Sequence, residues 1–155
     1  MDSPINEIWG HHLWIILHSS AERIGIPKLS RLPQEEYRIW TALLLSLRYS
    51  LPCPQCKKHY TTYYSQNPII SFNITNIRTW LYTLHCQVND RTAKHNNVTI
   101  EQIPELYNKP FNFTYHFNII IGQMRKATQI GWSTHNDNQK TIRLFEELKR
   151  LYDFF

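Results

Sequence analysis

The stretch L51-P-C-P-Q-C-K-K-H-Y60 decides how the chain is partitioned. Pro52 stops whatever helix precedes it, because a proline disfavours helix in the residue before it. Pro54 suits the first turn of the next helix, where its missing N–H costs nothing. Cys53 and Cys56 therefore fall at a helix N-terminus, three residues apart and on neighbouring ridges, close enough for a disulfide. The helix dipole and free N–H groups stabilise thiolate there. Lys57, Lys58 and His59 add positive charge. The residues suit thiol–disulfide exchange. A second reading is a metal site, with Cys53 and Cys56 joined by His59, His85 or Cys86. A structural zinc site normally takes four ligands in two compact pairs, and no second C-x-x-C exists.

Working outward, the chain reads as helices on both sides. Upstream, Pro33 with Gln34, Glu35 and Glu36 opens a helix that carries Ile39, Trp40, Leu43, Leu44 and Leu47 to Ser50. Before it, Ile5, Ile8, Trp9, Leu13, Ile16 and Leu17 follow the 3.6 period from Ser3-Pro4 to about Ile24, where Gly25 and Pro27 end the run. Downstream, the CxxC helix stops around Asn67-Pro68. A fourth helix spans Thr75 to about Lys94 on Ile77, Trp80, Leu81, Leu84 and Val88. A short turn of helix at 100–107, a long helix over 112–130 and an amphipathic tail at 137–152 complete the chain. Short connections favour antiparallel neighbours, so the expected fold is all-α, a helical bundle. With 155 residues, 42% apolar content and only 4 glycines, one helical domain with a real core is the natural reading.

The net charge of +5 is modest and no dense Lys/Arg run occurs, which argues against a nucleic-acid binder. The opening MDSPINEIWG has two acids and no basic n-region, so no secretory leader is expected. No apolar run approaches the roughly 20 residues of a membrane span. The sequons at Asn73, Asn97 and Asn112 then read as chance products of an Asn-rich chain. An intracellular location is expected, where stable structural disulfides are uncommon.

Two helices add candidates. On the first, Gly10, Trp14 and His18 recur every four residues and share a face. Gly10 admits a flat group, and Trp14 with His18 could sandwich an aromatic ring; the plainer reading is core packing. On the fourth, His85 and Asn89 lie one turn apart, followed by Arg91 and Lys94. Imidazole, amide and two cations suit a nucleotide with its diphosphate. The cations equally suit a solvated helix end.

Together these motifs are more specific than any one of them. W-G-x-x-x-W-x-x-L-H (Trp9 to His18), P-C-x-x-C-x-x-H (Pro52 to His59) and W-x-x-x-x-H-x-x-V-N (Trp80 to Asn89) occur in order. The chain resembles the FAD-linked sulfhydryl oxidases of the Erv/ALR family over about residues 5 to 105. The resemblance implies a four-helix bundle binding FAD at one end, with a short fifth helix, usually as a homodimer. It implies that Cys53 exchanges disulfides with a partner protein's dithiol, that Cys56 contacts the flavin, and that oxygen receives the electrons to give hydrogen peroxide. Gly10, His11, Trp14 and His18 would line the flavin pocket, with His59 near the cysteines. His85, Cys86, Val88 and Asn89 would hold the adenine and ribose side, with Arg91 and Lys94 at the diphosphate. No metal is implied.

Three departures from the family pattern stand out. Cys86 occupies the position after the fourth-helix His where the family commonly has Asn, about 100° round from His85. It reads as a buried free thiol. With only 3 cysteines, the chain also lacks a shuttle pair and the structural disulfide of many relatives. These absences resemble the short forms encoded by large cytoplasmic DNA viruses, which implies a cytoplasmic site such as a virus assembly site. The mitochondrial intermembrane space is the other compartment the resemblance allows. The expected division is a flavin-binding domain at 1–110 and a helical extension at 111–155, which packs on the bundle or enlarges a dimer contact. The rival function is a non-catalytic helical binding module held by zinc.

Overall fold

The computed structural model of the protein describes residues 2–26 and 32–154. Seven α-helices and one 3-10 turn account for its regular structure, with no strand among the described residues. They are α1 (Asn6–Ala21), α2 (Leu32–Ser50), α3 (Pro54–Gln66), α4 (Ile74–Arg91), the 3-10 turn (Ile100–Gln102), α5 (Ile103–Tyr107), α6 (Phe113–Gln129) and α7 (His135–Tyr152). The expected all-α class is the observed one.

The helices bury most of the stripes their sequence sets out, but Ile5 and Ile8, expected on the α1 stripe, are exposed because the chain start lies at the rim of the bundle. Leu13, Ile16 and Leu17 of α1 meet Ile39, Trp40, Leu43, Leu44 and Leu47 of α2 and Ile77, Trp80, Leu81 and Leu84 of α4 in one core. Caps fix several starts: the Asn73, Asn112 and Thr134 side chains accept the backbone N–H of Asn76, Tyr115 and Asp137. At α1 the start lies later than the Ser3-Pro4 signal suggests. Ile5 has no side-chain cap, and its N–H is held instead by Gln123 Oε1 at 2.6 Å, from α6.

Two helix ends also move. α1 stops at Ala21, because Arg23 and Ile24 switch to hydrogen bonds three residues back and Gly25 turns the chain at φ +78°. Pro27, read as part of that stop, lies outside the described residues. α4 stops at Arg91 rather than Lys94. Ala93 takes a left-handed conformation (φ 57°), Lys94 N–H bonds Asn89 C=O at 2.8 Å and Ala93 N–H bonds Asp90 C=O at 3.4 Å. This is a Schellman closure with alanine where glycine is usual.

The C-terminal helices are integral to the packing. α7 lies along α2 and α6 along α1, the two most extensive pairings in the molecule. Phe113, Phe117, Ile120 and Met124 of α6 and Phe145 and Leu148 of α7 are buried in the common core. A buried polar chain ties α7 to α2: Trp40 Nε1 donates to Tyr152 Oη at 3.0 Å, and the Tyr152 hydroxyl donates to Glu36 Oε2. The Glu36 carboxylate also takes the Gly25 N–H. The apolar stripes of residues 106–155, open in sequence to either packing or an interface, are thus largely covered within the chain.

Candidate active site

Cys53 is the N-cap of α3, in extended conformation, and its sulfur accepts the Cys56 N–H at 3.2 Å. A helix cap made by a thiol places the first cysteine's sulfur at the positive end of the dipole. Both cysteines are free. Cys53 is buried at 8% exposure, covered by the Asn6 carboxamide, whose Nδ2 lies 3.7 Å from its sulfur. Cys56 is half-buried. Its thiol is pushed up to about 12, by burial first and then by the hydrogen bond with Cys53, while Arg91 pulls it down. Arg91, exposed at the end of α4, acts on His59 as well. The α4 cation therefore faces the Cys56 side of the pair, while Cys53 faces the start of α1.

The second part of the site is a stack of rings. Trp14 and His85 lie face to face with centroids 4.1 Å apart and planes 4° from parallel. His18 stacks on Trp14 at 5.4 Å and on Tyr107 at 4.6 Å, and its Nε2 lies 3.0 Å from His85 Nδ1. A ring held between two others needs a separation of roughly 7 Å, so the sandwich read from Trp14 and His18 does not form. The rings pack on one another, and a planar ligand would stack on an outer face. His85 lies on the Trp14 face, and Tyr107 of α5 lies against His18. Burial lowers His18 to about 3, helped by His85, and lowers His85 to about 4, helped by Lys94. Both imidazoles are therefore neutral near pH 7, as a buried aromatic stack requires. Its register is set beside it: Glu22, the C-cap of α1, receives Arg78 of α4 in a bidentate pair at 2.8 Å.

The remaining candidates divide. Gly10 borders open space, with no atom beyond its chain neighbours and the local helix backbone within 4 Å of where a Cβ would stand. Lys94 is exposed and acts on His85. Asn89 Nδ2 donates to Asn96 Oδ1 at 3.0 Å, which ties it to the loop after α4. Val88 packs on the core edge. His11 is exposed and its ring meets His12, not the Trp14 stack. Cys86 is half-buried rather than buried, beside Tyr82, because α4 turns that flank partly toward solvent. Tyr107, Asn6 and Trp9 complete the site. Tyr107 lies outside every motif, whereas the three-residue spacing of Asn6 and Trp9 on one helix face was a signal.

This set fits a flavin dinucleotide. His18 Nδ1 is buried with no hydrogen-bond partner. The space beside Gly10 admits a flat group. Arg91 and Lys94 form no ion pair among the described residues and are free for an anionic diphosphate. A metal fits less well: no group of three or more His, Cys, Asp or Glu among the described residues is placed to hold one.

With its described residues all in helices and loops, a CxxC on a helix N-terminus and a cation of α4 acting on the second cysteine, the chain has the layout of a helical thiol–disulfide redox protein. Residues 11–108 match the Erv1 / Alr family, and the chain belongs to that family, the family of the sulfhydryl oxidases. Two similar proteins are each named "FAD-linked sulfhydryl oxidase", from a Namibian warthog isolate and a Malawian tick isolate of African swine fever virus. Each is 31% identical over 90 residues, which is 56% of this chain and 69% of the relative. No solved structure matches the chain significantly.

Proposed function

We propose that the protein is an FAD-dependent sulfhydryl oxidase that forms disulfides in partner proteins. The observation that carries this reading is the asymmetry of the cysteine pair. Arg91, on the helix that carries His85 and Asn89, acts on Cys56, whereas Cys53 meets Asn6 at the start of α1, which supports Cys56 as the flavin-side sulfur and leaves Cys53 as the exchange sulfur once Asn6 gives way to the substrate.

In the oxidised pair a substrate thiolate attacks Cys53 Sγ, and the Cys53–Cys56 bond breaks with Cys56 leaving as thiolate. The substrate's second thiolate then attacks the mixed disulfide, and Cys53 leaves in turn. One substrate disulfide forms and the pair is reduced by two electrons, the negative charges of the two attacking thiolates ending on Cys56 and Cys53 and the protons lost by the substrate thiols being available to the reduced pair. The N–H of Cys56 and the α3 dipole stabilise the departing Cys53 thiolate. Arg91 stabilises negative charge on Cys56, against the burial that opposes it. Bound FAD supplies the acceptor for the two electrons, with oxygen as the final oxidant and hydrogen peroxide as product. Trp14, His18 and His85 would offer it a flat neutral wall, with Arg91 and Lys94 at its diphosphate and Gly10 at its edge.

Residues 1–110 form the flavin-binding part in this reading, and 111–155 an extension packed on it. Because α6 and α7 cover faces of α1 and α2, a homodimer would use other surfaces, which sedimentation of the purified chain tests. No helix among the described residues is long and apolar enough to cross a membrane. The viral relatives support a cytoplasmic site of action. Oxygen uptake on addition of a dithiol tests the activity: a yellow protein that consumes oxygen supports it. A colourless protein that releases zinc when its thiols are blocked would favour the zinc-held binding module instead.

A further inference from the structure

We propose that Asn6 is a positioning residue for Cys53, a hydrogen-bond donor aimed at the exchange sulfur that stabilises it when it leaves the mixed disulfide, and that Trp9 and Gln123 fix its aim. The inference rests on the exchange role of Cys53 proposed above.

The orientation of the Asn6 carboxamide follows from chemistry. The indole N–H can only donate, and Trp9 Nε1 lies 3.0 Å from the Asn6 side-chain oxygen. The oxygen must therefore face Trp9, which turns the NH2 group toward Cys53 Sγ at 3.7 Å. Trp9 is itself buried, so the donor that sets the amide is rigid. The backbone is held from the other side. Asn6 is the first residue of α1, and the preceding N–H, that of Ile5, is bonded to the buried side chain of Gln123 on α6. A residue at a fraying helix end is thus fixed by one local bond, from Trp9, and by one tertiary bond at the preceding residue, from Ile5 to Gln123.

Cys53 Sγ then receives two N–H donors, from the Cys56 backbone and from Asn6. The sulfur is largely shut off from water, so these donors replace solvation for the thiolate. The titratable group set against this sulfur is Cys56 on the same helix turn, itself acted on by Arg91 of α4. In the exchange cycle Cys53 leaves as thiolate when the mixed disulfide resolves. A donor at its sulfur stabilises that leaving group, and α6 takes part in the chemistry indirectly by anchoring it.

The test uses the full chain carrying Cys56→Ser and Cys86→Ser, in which Cys53 is the only thiol. Its alkylation rate with iodoacetamide is measured from neutral pH to about pH 10.5, and the neutral rate is divided by the high-pH plateau so that changes in access cancel. Asn6→Leu removes the donor and lowers this ratio about tenfold. Asn6→Asp puts a carboxylate in its place, keeps the Trp9 bond, and lowers the ratio further. Asn6 is exposed at a helix start, and unchanged thermal melting of both variants verifies the fold. A ratio within about twofold of the parent in both variants overturns the proposal, as does a rise. The flavin absorbance of the otherwise native chain is read separately, so a colourless protein would sink the oxidase reading without touching the Asn6 result.

Discussion

Lowering the pH from 7 to 5 should weaken the fold through His18, by an amount the site itself sets. His18 has an ordinary value of 6.5 and is held at about 3 in the folded protein, because burial between α1 and α4 disfavours its charged form. The unfolded chain therefore binds a proton below pH 6.5 that the folded chain refuses. Stability from this group is whole above that pH and is lost as pH falls toward 3. At pH 5 the difference spans about 1.5 pH units, or about 2 kcal/mol at 1.36 kcal/mol per unit. His85 shifts the same way, to about 4, with a smaller effect because it is only partly buried. Urea unfolding followed by tryptophan fluorescence at both pH values measures the loss. The control is His18→Phe, which keeps a ring against Tyr107 and cannot titrate; its loss between pH 7 and 5 should be smaller by about 2 kcal/mol. Carboxylates contribute equally to both chains and cancel. Equal losses in the two would refute the placement of a neutral His18 in the stack.

Further consequences follow from the packing and the cysteines. Glu22→Gln leaves the Arg78 guanidinium without its buried carboxylate and should cost about 2 kcal/mol in urea unfolding. Tyr152→Phe strands the Trp40 N–H in the core and removes one of the two donors to Glu36 Oε2, which keeps the Gly25 N–H, and a loss of about 1–3 kcal/mol in the same assay is expected. Deleting residues 136–155 removes Phe145 and Leu148 from α2, each about 1.5–3 kcal/mol of burial. The truncated chain should lose cooperative unfolding, and a well-folded truncate would count against α7 as part of the core. Cys53→Ser and Cys56→Ser should each abolish dithiol turnover while the purified variants keep their flavin absorbance.

The sequence is most readable where local chemistry fixes the backbone. Pro52 and Pro54 mark the α2–α3 break correctly, and the buried stripes of α2 and α4 are those their periodicity sets out. It is least readable where distant residues intervene. The start of α1 is fixed by Gln123, 118 positions away, and the end of α4 by an alanine in a left-handed turn that sequence normally signals with glycine. The site divides in the same way. Helical spacing brings Gly10, Trp14 and His18 to one face of α1. Tyr107 joins them only because α5 folds back on α1, and its ring lies against His18. His11 shares a motif with these residues but not their helix face, so tertiary packing directs it elsewhere.

The central claim is that the Cys53–Cys56 pair delivers its electrons to a flavin held against α1 and α4. Anaerobic titration of the purified protein with a dithiol, followed by visible absorbance, tests it most directly. The account predicts flavin absorbance that bleaches on titration in the native chain and survives in Cys56→Ser. A protein without flavin absorbance, or one whose flavin bleaches equally well without Cys56, would contradict it.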